Sequence, residues 1–558
     1  MTGTEFYHEP HSGVRPSRAL IVLEVVGIFI LFALYAGSPP PDVNETAYLC
    51  KAKHYWNPDW CPGDLFLESA DAHLVFYWTF GWLTRLVSLP IAAWVGRVAL
   101  WIGLSVAWRS LNVSLVARPG VALLTAALWL LGLHYCHMMG EWVVGTIEGK
   151  SVAYVFILFG LAALVRNQWN RTWVWFGAAT MFHVVVGGWS VVAAGIAWLL
   201  QPETRPPLRA MWPGLLAGVL LSLPGLVPAL WLTQGVPHAT LEQAGIIYVF
   251  RRLSHHLVVQ TRPVHFVARF LALVAIWAML YVVLRRQPSA RRLQTFVAGA
   301  VLIALVGALI SLSTLVRPES AARWLRYYWF RLADAVVPAG VALGLAVWLA
   351  DKCGRAWAKS VWLAMTMGVF CAAGGLIATW PTIWTTQLPR ASLHEWGFGG
   401  SNRFFALQSH REWVQMCAWV GDNTVDDAQF LTPYNQQTFK WYAGRSEAAT
   451  WKDIPQDAQS TVAWWGRITD IYQLHNSAGH GAEKQRVRLV SLTELDGQRL
   501  ITLARKYECH YIILDCYQRE PDIDTSLLVY SAAGSPASRF RVYAVPDESG
   551  PLQTDDEH

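Results

Sequence analysis

Two carboxylates, Asp42 and Glu45, stand three residues apart just beyond the first long apolar run, in the sequence Asp42-Val43-Asn44-Glu45-Thr46-Ala47-Tyr48-Leu49. A carboxylate held where a chain leaves a bilayer can take the proton from an attacking hydroxyl, so either acid is a candidate general base. The segment that follows adds Asp59, Asp64, Glu68, Asp71 and His73. Solvating a loop or capping a helix is the competing use for all of these acids, and Asp64 is kept as a further candidate.

A second set is cationic. Lys150 follows Glu148 in Glu148-Gly149-Lys150, Arg252 opens Arg252-Leu253-Ser254-His255-His256, and Arg326 and Arg331 belong to a run that also holds Arg317, Glu319, Arg323 and Asp334. Arginine grips phosphate through paired N–H donors and lysine acts as a point charge, so Lys150, Arg252, Arg326 and Arg331 form a candidate phosphate-binding set. Glu148, His183, His255 and His256 are polar candidates beside it. The plainer readings are snorkelling for Lys150, a hydrogen-bonded histidine inside the bundle for His183, and an ion pair between Arg331 and Asp334 at i,i+3. There is no Gly-rich nucleotide loop, no metal-ligand spacing and no serine-nucleophile motif.

The elements that must position these residues are membrane helices. The 558 residues are 54% hydrophobic and 15% charged, with a mean hydropathy of +0.30, whereas soluble domains carry about 25% charge. The 31 tryptophans suit interfacial belts. The net charge of +6 is spread through short loops, which argues against nucleic-acid binding. Apolar windows place spans at 19–36, 90–108, 119–139, 151–165, 212–233, 264–284, 294–314, 332–350 and 360–380, and 172–200 reads as two short helices that turn back at Gly187-Gly188. That makes about eleven spans. Polar residues 1–18 precede the first span without a clean cleavage site, so that span is expected to stay.

Arginines and lysines fill alternate short loops, which puts the N-terminus in the cytoplasm if 72–88 lies flat on the outer surface. The outer loops are then 37–89, 140–150, 234–262 and 315–331, and they hold both candidate sets. Residues 1–380 form the transmembrane part. Residues 381–558 form a soluble α/β domain outside the membrane, with helices at 411–420, 460–473 and 492–507 and strands at 428–433, 510–515, 526–531 and 540–545. Disulfides Cys50–Cys61 and Cys509–Cys516 are each weighed evenly against free thiols.

This pattern resembles the GT-C superfamily of integral membrane glycosyltransferases, and more locally a set of uncharacterised bacterial membrane proteins of that type. The resembling stretches are NETAYL (44–49), GDLFLESADAH (63–73), EGKSVAY (148–154), FHVVVGGW (182–189), RRLSHHL (251–257), RYYWFRLAD (326–334) and DAQFLTP (427–433). The resemblance implies a polyprenyl-phosphate sugar donor, a catalytic acid in the first outer loop, and often a divalent metal, magnesium or manganese, with Asp42 or Glu45 as its ligand where one is bound; a single displacement would invert the sugar carbon. Many GT-C enzymes have adjacent acids here, whereas these are three apart. Glu45 is the first choice of base, with Asp42 as its neighbour or a metal ligand.

The expected protein is thus a multi-pass glycosyltransferase of the bacterial inner membrane. Its partners would be the bilayer, a lipid-phosphate-linked sugar, and a glycan, lipid or protein acceptor. The alternatives are a transporter or flippase of lipid-linked envelope precursors, with its site at the helix break, and a non-catalytic envelope-assembly scaffold.

Overall fold

The computed structural model describes residues 17–201, 203, 205–353, 388–395, 403–472, 475–476, 487–517, 519–532 and 538–546. The chain is mostly helical, with a small sheet near its C-terminus. It opens with α1 (Arg18–Ala36), capped by the Ser17 hydroxyl, which accepts from Leu20 N. Three short helices follow: α2 (Glu45–Trp56), α3 (Leu65–Glu68) and α4 (Leu74–Thr79). At six residues α4 is too short to cross a bilayer, as the loop parity requires.

Then come α5 (Leu89–Leu115), α6 (Val121–Tyr135), α7 (Gly149–Val165), α8 (Trp169–Phe182), α9 (Val184–Leu199) and α10 (Leu208–Trp231). A cover of α11 (His238–Ile246), a π-helical turn at Ile247–Arg252 and α12 (Ser254–Leu257) precedes α13 (Val264–Leu284) and α14 (Pro288–Ser313). Helix α15 (Pro318–Leu325) joins the cover and α16 (Arg331–Cys353) completes the bundle. Six of these helices, α1, α5, α10, α13, α14 and α16, are long and apolar enough to span a membrane, and α6, α7 and α9 are shorter apolar helices. The expected span at 360–380 lies outside the described residues.

The break in the 172–200 stretch falls at His183, not at Gly187-Gly188. His183 is extended (φ −150°, ψ 100°), ends α8, and caps α9 by accepting from Val186 N through Nδ1 at 3.2 Å. Gly187 sits inside α9, where a Cβ would collide with the Thr180 backbone. Its glycine serves helix-to-helix approach rather than a turn. The same device joins α8 to α10, where Gly177 faces Gly218 and a side chain on either would meet backbone. The bundle core is tied by aromatic and polar contacts: Trp108 stacks on Trp129 at 4.4 Å, and Trp129 Nε1 donates to Ala335 O at 3.0 Å. Glu24, buried in α1, pairs with Arg109 of α5 at 2.8 Å.

The C-terminal part begins with α17 (Arg390–Glu395) and α18 (Arg403–Asn423). Strand β1 (Gln429–Leu431), α19 (Phe439–Ala443), β2 (Ser446–Glu447) and α20 (Ala458–Ile471) follow, then a hairpin of β3 (His475–Asn476) and β4 (Val487–Arg488), then α21 (Gly497–Lys506), β5 (Tyr511–Asp515), β6 (Leu528–Ser531) and β7 (Phe540–Ala544). The main sheet runs β2-β1-β5-β7-β6, parallel from β2 to β5 and antiparallel beyond. One face packs under α20 and α21 around Trp464, Ile468 and Leu500, and the other under α18 around Trp413 and Phe430. Cys509 and Cys516 are free thiols at opposite ends of β5. A strand of that length separates them by roughly 20 Å, far beyond disulfide reach. Cys50 and Cys61 are buried free thiols.

The sheet domain is locked to the first loop by a buried cation. Lys440 of α19 lies 2.5 Å from Glu447, 2.8 Å from Asp453 and 3.3 Å from Asp64. Burial disfavours its charge, but Asp453, Asp64 and Glu447 outweigh that and hold the ammonium well above its ordinary range. Asp64 also caps α3, accepting from Phe66 N and Leu67 N. Replacing Lys440 by Met leaves three buried carboxylates facing one another, and removing one partner of such a buried set costs about 3–5 kcal/mol. The expected outcome is a clear drop in melting temperature and early proteolysis between the bundle and the sheet domain; a wild-type melt for Lys440→Met would contradict it.

Candidate functional site

A cavity of about 1140 Å³ lies where the outer loops meet the sheet domain. All four loops expected on the outer side contribute to its lining, and residues 452–461 of the sheet domain close it. Of the residues singled out from sequence, Asp42, Glu148, Lys150, His183, Arg252, His255, His256, Arg326 and Arg331 line it. Glu45 and Asp64 do not.

Glu45 is a structural residue. Its carboxylate is fully buried and bound side-on by Arg97 of α5, with Nε–Oε1 and Nη2–Oε2 both at 2.6 Å. Oε2 also accepts from Asp42 N at 2.9 Å and Oε1 from Ile147 N at 3.4 Å. With both oxygens engaged and no surface on the cavity, Glu45 has no place for a substrate proton. Asp64 is likewise spent on the α3 cap and Lys440. The divalent metal expected on Asp42 or Glu45 does not fit this donor set: Glu45 already holds a guanidinium, and Asp42 Oδ2 lies 3.5 Å from Arg390. Among the described residues, no group of three or more His, Cys, Asp or Glu is arranged to hold a metal ion.

Asp42 is the acid that reaches the cavity from the first loop. Its Oδ1 accepts from Val43 N at 2.6 Å. Arg390 of α17, which packs on Asp42, also donates to Tyr35 O at 3.4 Å, so the end of the bundle and the start of the sheet domain orient this carboxylate together.

The other acids form a charge network. Lys150 lies 3.5 Å from Glu148 and 3.7 Å from Glu141. Arg331 lies 3.2 Å from Glu141, contacts His183 Nε2 at 3.3 Å, and sits over the Tyr328 ring. Asn44 Nδ2 donates to Glu148 at 3.0 Å. Burial raises the Glu148 carboxyl above its ordinary value, against the pull of Lys150. The alternative reading of Arg331 as the partner of Asp334 is not met, since Arg331 pairs with Glu141. Asp334 instead accepts from Met138 N and Met139 N, both at 2.8 Å, and so fixes the loop that carries Glu141. Tyr328 itself holds φ +51°, a strained backbone for a bulky residue, and its hydroxyl meets that of Tyr248 at 2.9 Å.

Arg252 projects from the π-helical turn. It donates from Nε to Trp451 O at 2.7 Å, and Lys452 beside it donates to Asn44 Oδ1 at 3.2 Å. Burial, then Arg252, push the Lys452 ammonium down to about 7. His256 bonds Met139 O through Nδ1 at 2.7 Å and packs on His255. His73, stacked on Tyr48 and pushed down to about 4 by burial and by Arg331, is neutral.

In all, eight Lys or Arg side chains line the cavity against three Asp or Glu. That excess suits an anion. Val192 and Leu230, on α9 and α10, line the cavity and are also 43% and 60% exposed on the bundle surface. The cavity thus has an apolar wall continuous with the outside of the helices. Glu141, Arg390 and Lys452 were not singled out from sequence: Arg390 and Lys452 meet partners more than three hundred residues away, and Glu141 joins nearby Lys150 to distant Arg331.

A model for a domain of unknown function, DUF6798, matches residues 411–471, which include Lys440 and Lys452. No curated protein matches. Among solved structures, ArnT from Cupriavidus metallidurans bound to undecaprenyl phosphate aligns over 96% of this chain and 98% of its own, at 14% identity and a TM-score of 0.46. The archaeal oligosaccharyltransferase AglB from Archaeoglobus fulgidus, in complex with an inhibitory peptide and a dolichol-phosphate, aligns over 96% of this chain and 75% of its own, at 10% identity and a TM-score of 0.42. No residue role is carried over from either.

Proposed function

We propose that the protein is a membrane glycosyltransferase that moves a sugar from a polyprenyl-phosphate donor to a hydroxyl acceptor at the outer face of a bacterial inner membrane. The observation that carries this reading is one cavity in which Asp42, an excess of cations and an apolar wall continuous with the bundle exterior come together. The polyprenyl tail lies against α9 and α10. The donor phosphate is held by Lys150, Arg252, Arg326, Arg331 and Lys452. Asp42 accepts the proton of the acceptor hydroxyl as its oxygen bonds to the anomeric carbon. The bond from that carbon to the phosphate oxygen breaks, and the polyprenyl phosphate leaves with one more negative charge, which the cations stabilise. One displacement inverts the anomeric centre. No step requires a metal.

Purified protein incubated with a panel of polyprenyl-phosphate sugars and envelope extract tests this. Asp42→Asn is expected to lower turnover by about 10²–10⁴-fold, the usual worth of a general base, with an unchanged melting temperature. Glu45→Gln is expected to lower the melting temperature, because Arg97 loses its buried partner. Full turnover in Asp42→Asn would remove the base from the reading.

Lys452 gives a pH signature. Binding a phosphodiester beside it favours the charged form, so its proton affinity rises on binding. Affinity for a polyprenyl phosphodiester should therefore fall as pH rises from 7 towards 9, by up to about tenfold per pH unit. Lys452→Gln should flatten the profile. A flat wild-type profile would contradict a phosphate beside Lys452.

A further inference from the structure

Helix α7 starts at the cavity and ends far from it. Lys150 lies in its first turn and Arg166 caps its C-terminus, about 24 Å away at 1.5 Å per residue. Helix α8 runs back, with Arg171 in its first turn and His183 beyond its last. At this far end a second hollow of about 500 Å³ opens between α5, α7, α8 and α10.

Arg166 and Arg171 line this hollow, and no Asp or Glu does. Arg166 is fixed in place: its Nη2 donates to Ser110 O at 3.0 Å and to Ser110 Oγ at 3.2 Å. Arg171 donates to Gln168 Oε1 at 3.2 Å. Two guanidiniums therefore share one hollow without a carboxylate in its walls. Burial, and then Arg171, hold Arg166 below its ordinary range, as expected of neighbouring like charges. The wall beside them is aromatic. Phe159 stacks on Trp175 at 5.1 Å, and Trp175 on Phe156 at 6.0 Å. All three rings are half-buried, so the stripe keeps an uncovered side.

We propose that this hollow binds an anionic glycerophospholipid from the leaflet opposite the cavity, its phosphate between Arg166 and Arg171 and an acyl chain along Phe159, Trp175 and Phe156. Charge complementarity selects an anion, and the aromatic stripe along the apolar helix α7 and its neighbour α8 selects a lipid over a soluble anion. The site is separate from the proposed catalytic cavity and does not depend on the sugar-transfer reading.

Native mass spectrometry of the full-length protein with added phosphatidylglycerol or phosphatidylcholine tests it. Phosphatidylglycerol is expected to bind about tenfold or more tightly than phosphatidylcholine, the equivalent of one charge-assisted contact. R166Q/R171Q should abolish that preference and W175A should weaken retention of phosphatidylglycerol, while undecaprenyl phosphate binding in the cavity stays at the wild-type level. R171Q alone costs the protein one exposed hydrogen bond to Gln168 and is read the same way, so a folding defect in the double variant does not shelter the proposal. Equal binding of the two lipids, an undiminished preference in R171Q, or displacement of phosphatidylglycerol by millimolar inorganic phosphate would overturn it.

Discussion

The buried pair of Glu45 and Arg97 is the interaction on which the site depends. Two full charges, both at 0% exposure, meet side-on. Such a pair is retained where further hydrogen bonds meet its remaining groups. Arg97 also donates to Ser38 O, and Glu45 accepts from the backbone of Asp42 and of Ile147. Three segments converge on these two side chains: the exit from α1, the middle of the bundle at α5, and the strand of chain that leads into Glu148. Asp42 and Glu148 are consequently placed on the cavity by a residue that never touches it.

The charges around the cavity fall into two kinds. Lys150 and Arg331 are balanced by Glu148 and Glu141, so they contribute shape and hydrogen bonds more than net field. Arg252 and Lys452 are bonded to carbonyl or amide oxygens, which leaves their charge uncompensated by those partners. That second kind arises where the sheet domain meets the membrane part: Arg252 holds the Trp451 and Lys452 backbone, and Lys452 returns to Asn44 in the first loop. The cavity is therefore a product of docking. The Lys440 cluster, which draws Asp64 of the first loop together with Glu447 and Asp453 of the sheet domain, is what keeps it assembled.

The long helices and most strands were legible in the sequence because a long apolar window and a short alternating run each have one dominant cause, whereas α11, α12 and α15 fall in stretches read as loops. The break at His183 was not, because glycine serves both turns and close approach, and at Gly187 the second use won. Eight of the nine candidate residues on the cavity come from the loops that charge parity grouped on one side, and the ninth, His183, comes from the helix break. Glu45 was misjudged because a carboxylate at a membrane exit looks the same whether it faces substrate or an arginine 52 positions on. Arg97, one of two arginines in the otherwise apolar α5, did not by itself point to Glu45 as its partner. Arg390 and Lys452 belong to a part of the chain whose docking no local pattern encodes.

The account's central claim is that a lipid phosphate occupies this cavity with Asp42 beside the reacting carbon. A cryo-electron microscopy structure of the full-length protein with undecaprenyl phosphate tests it most directly. The account predicts the phosphate within hydrogen-bond distance of Lys150, Arg252 or Lys452, the tail emerging between α9 and α10, and Asp42 facing open space next to the phosphate. Phosphate density outside the cavity, or a tail that blocks Asp42 from it, would contradict the account.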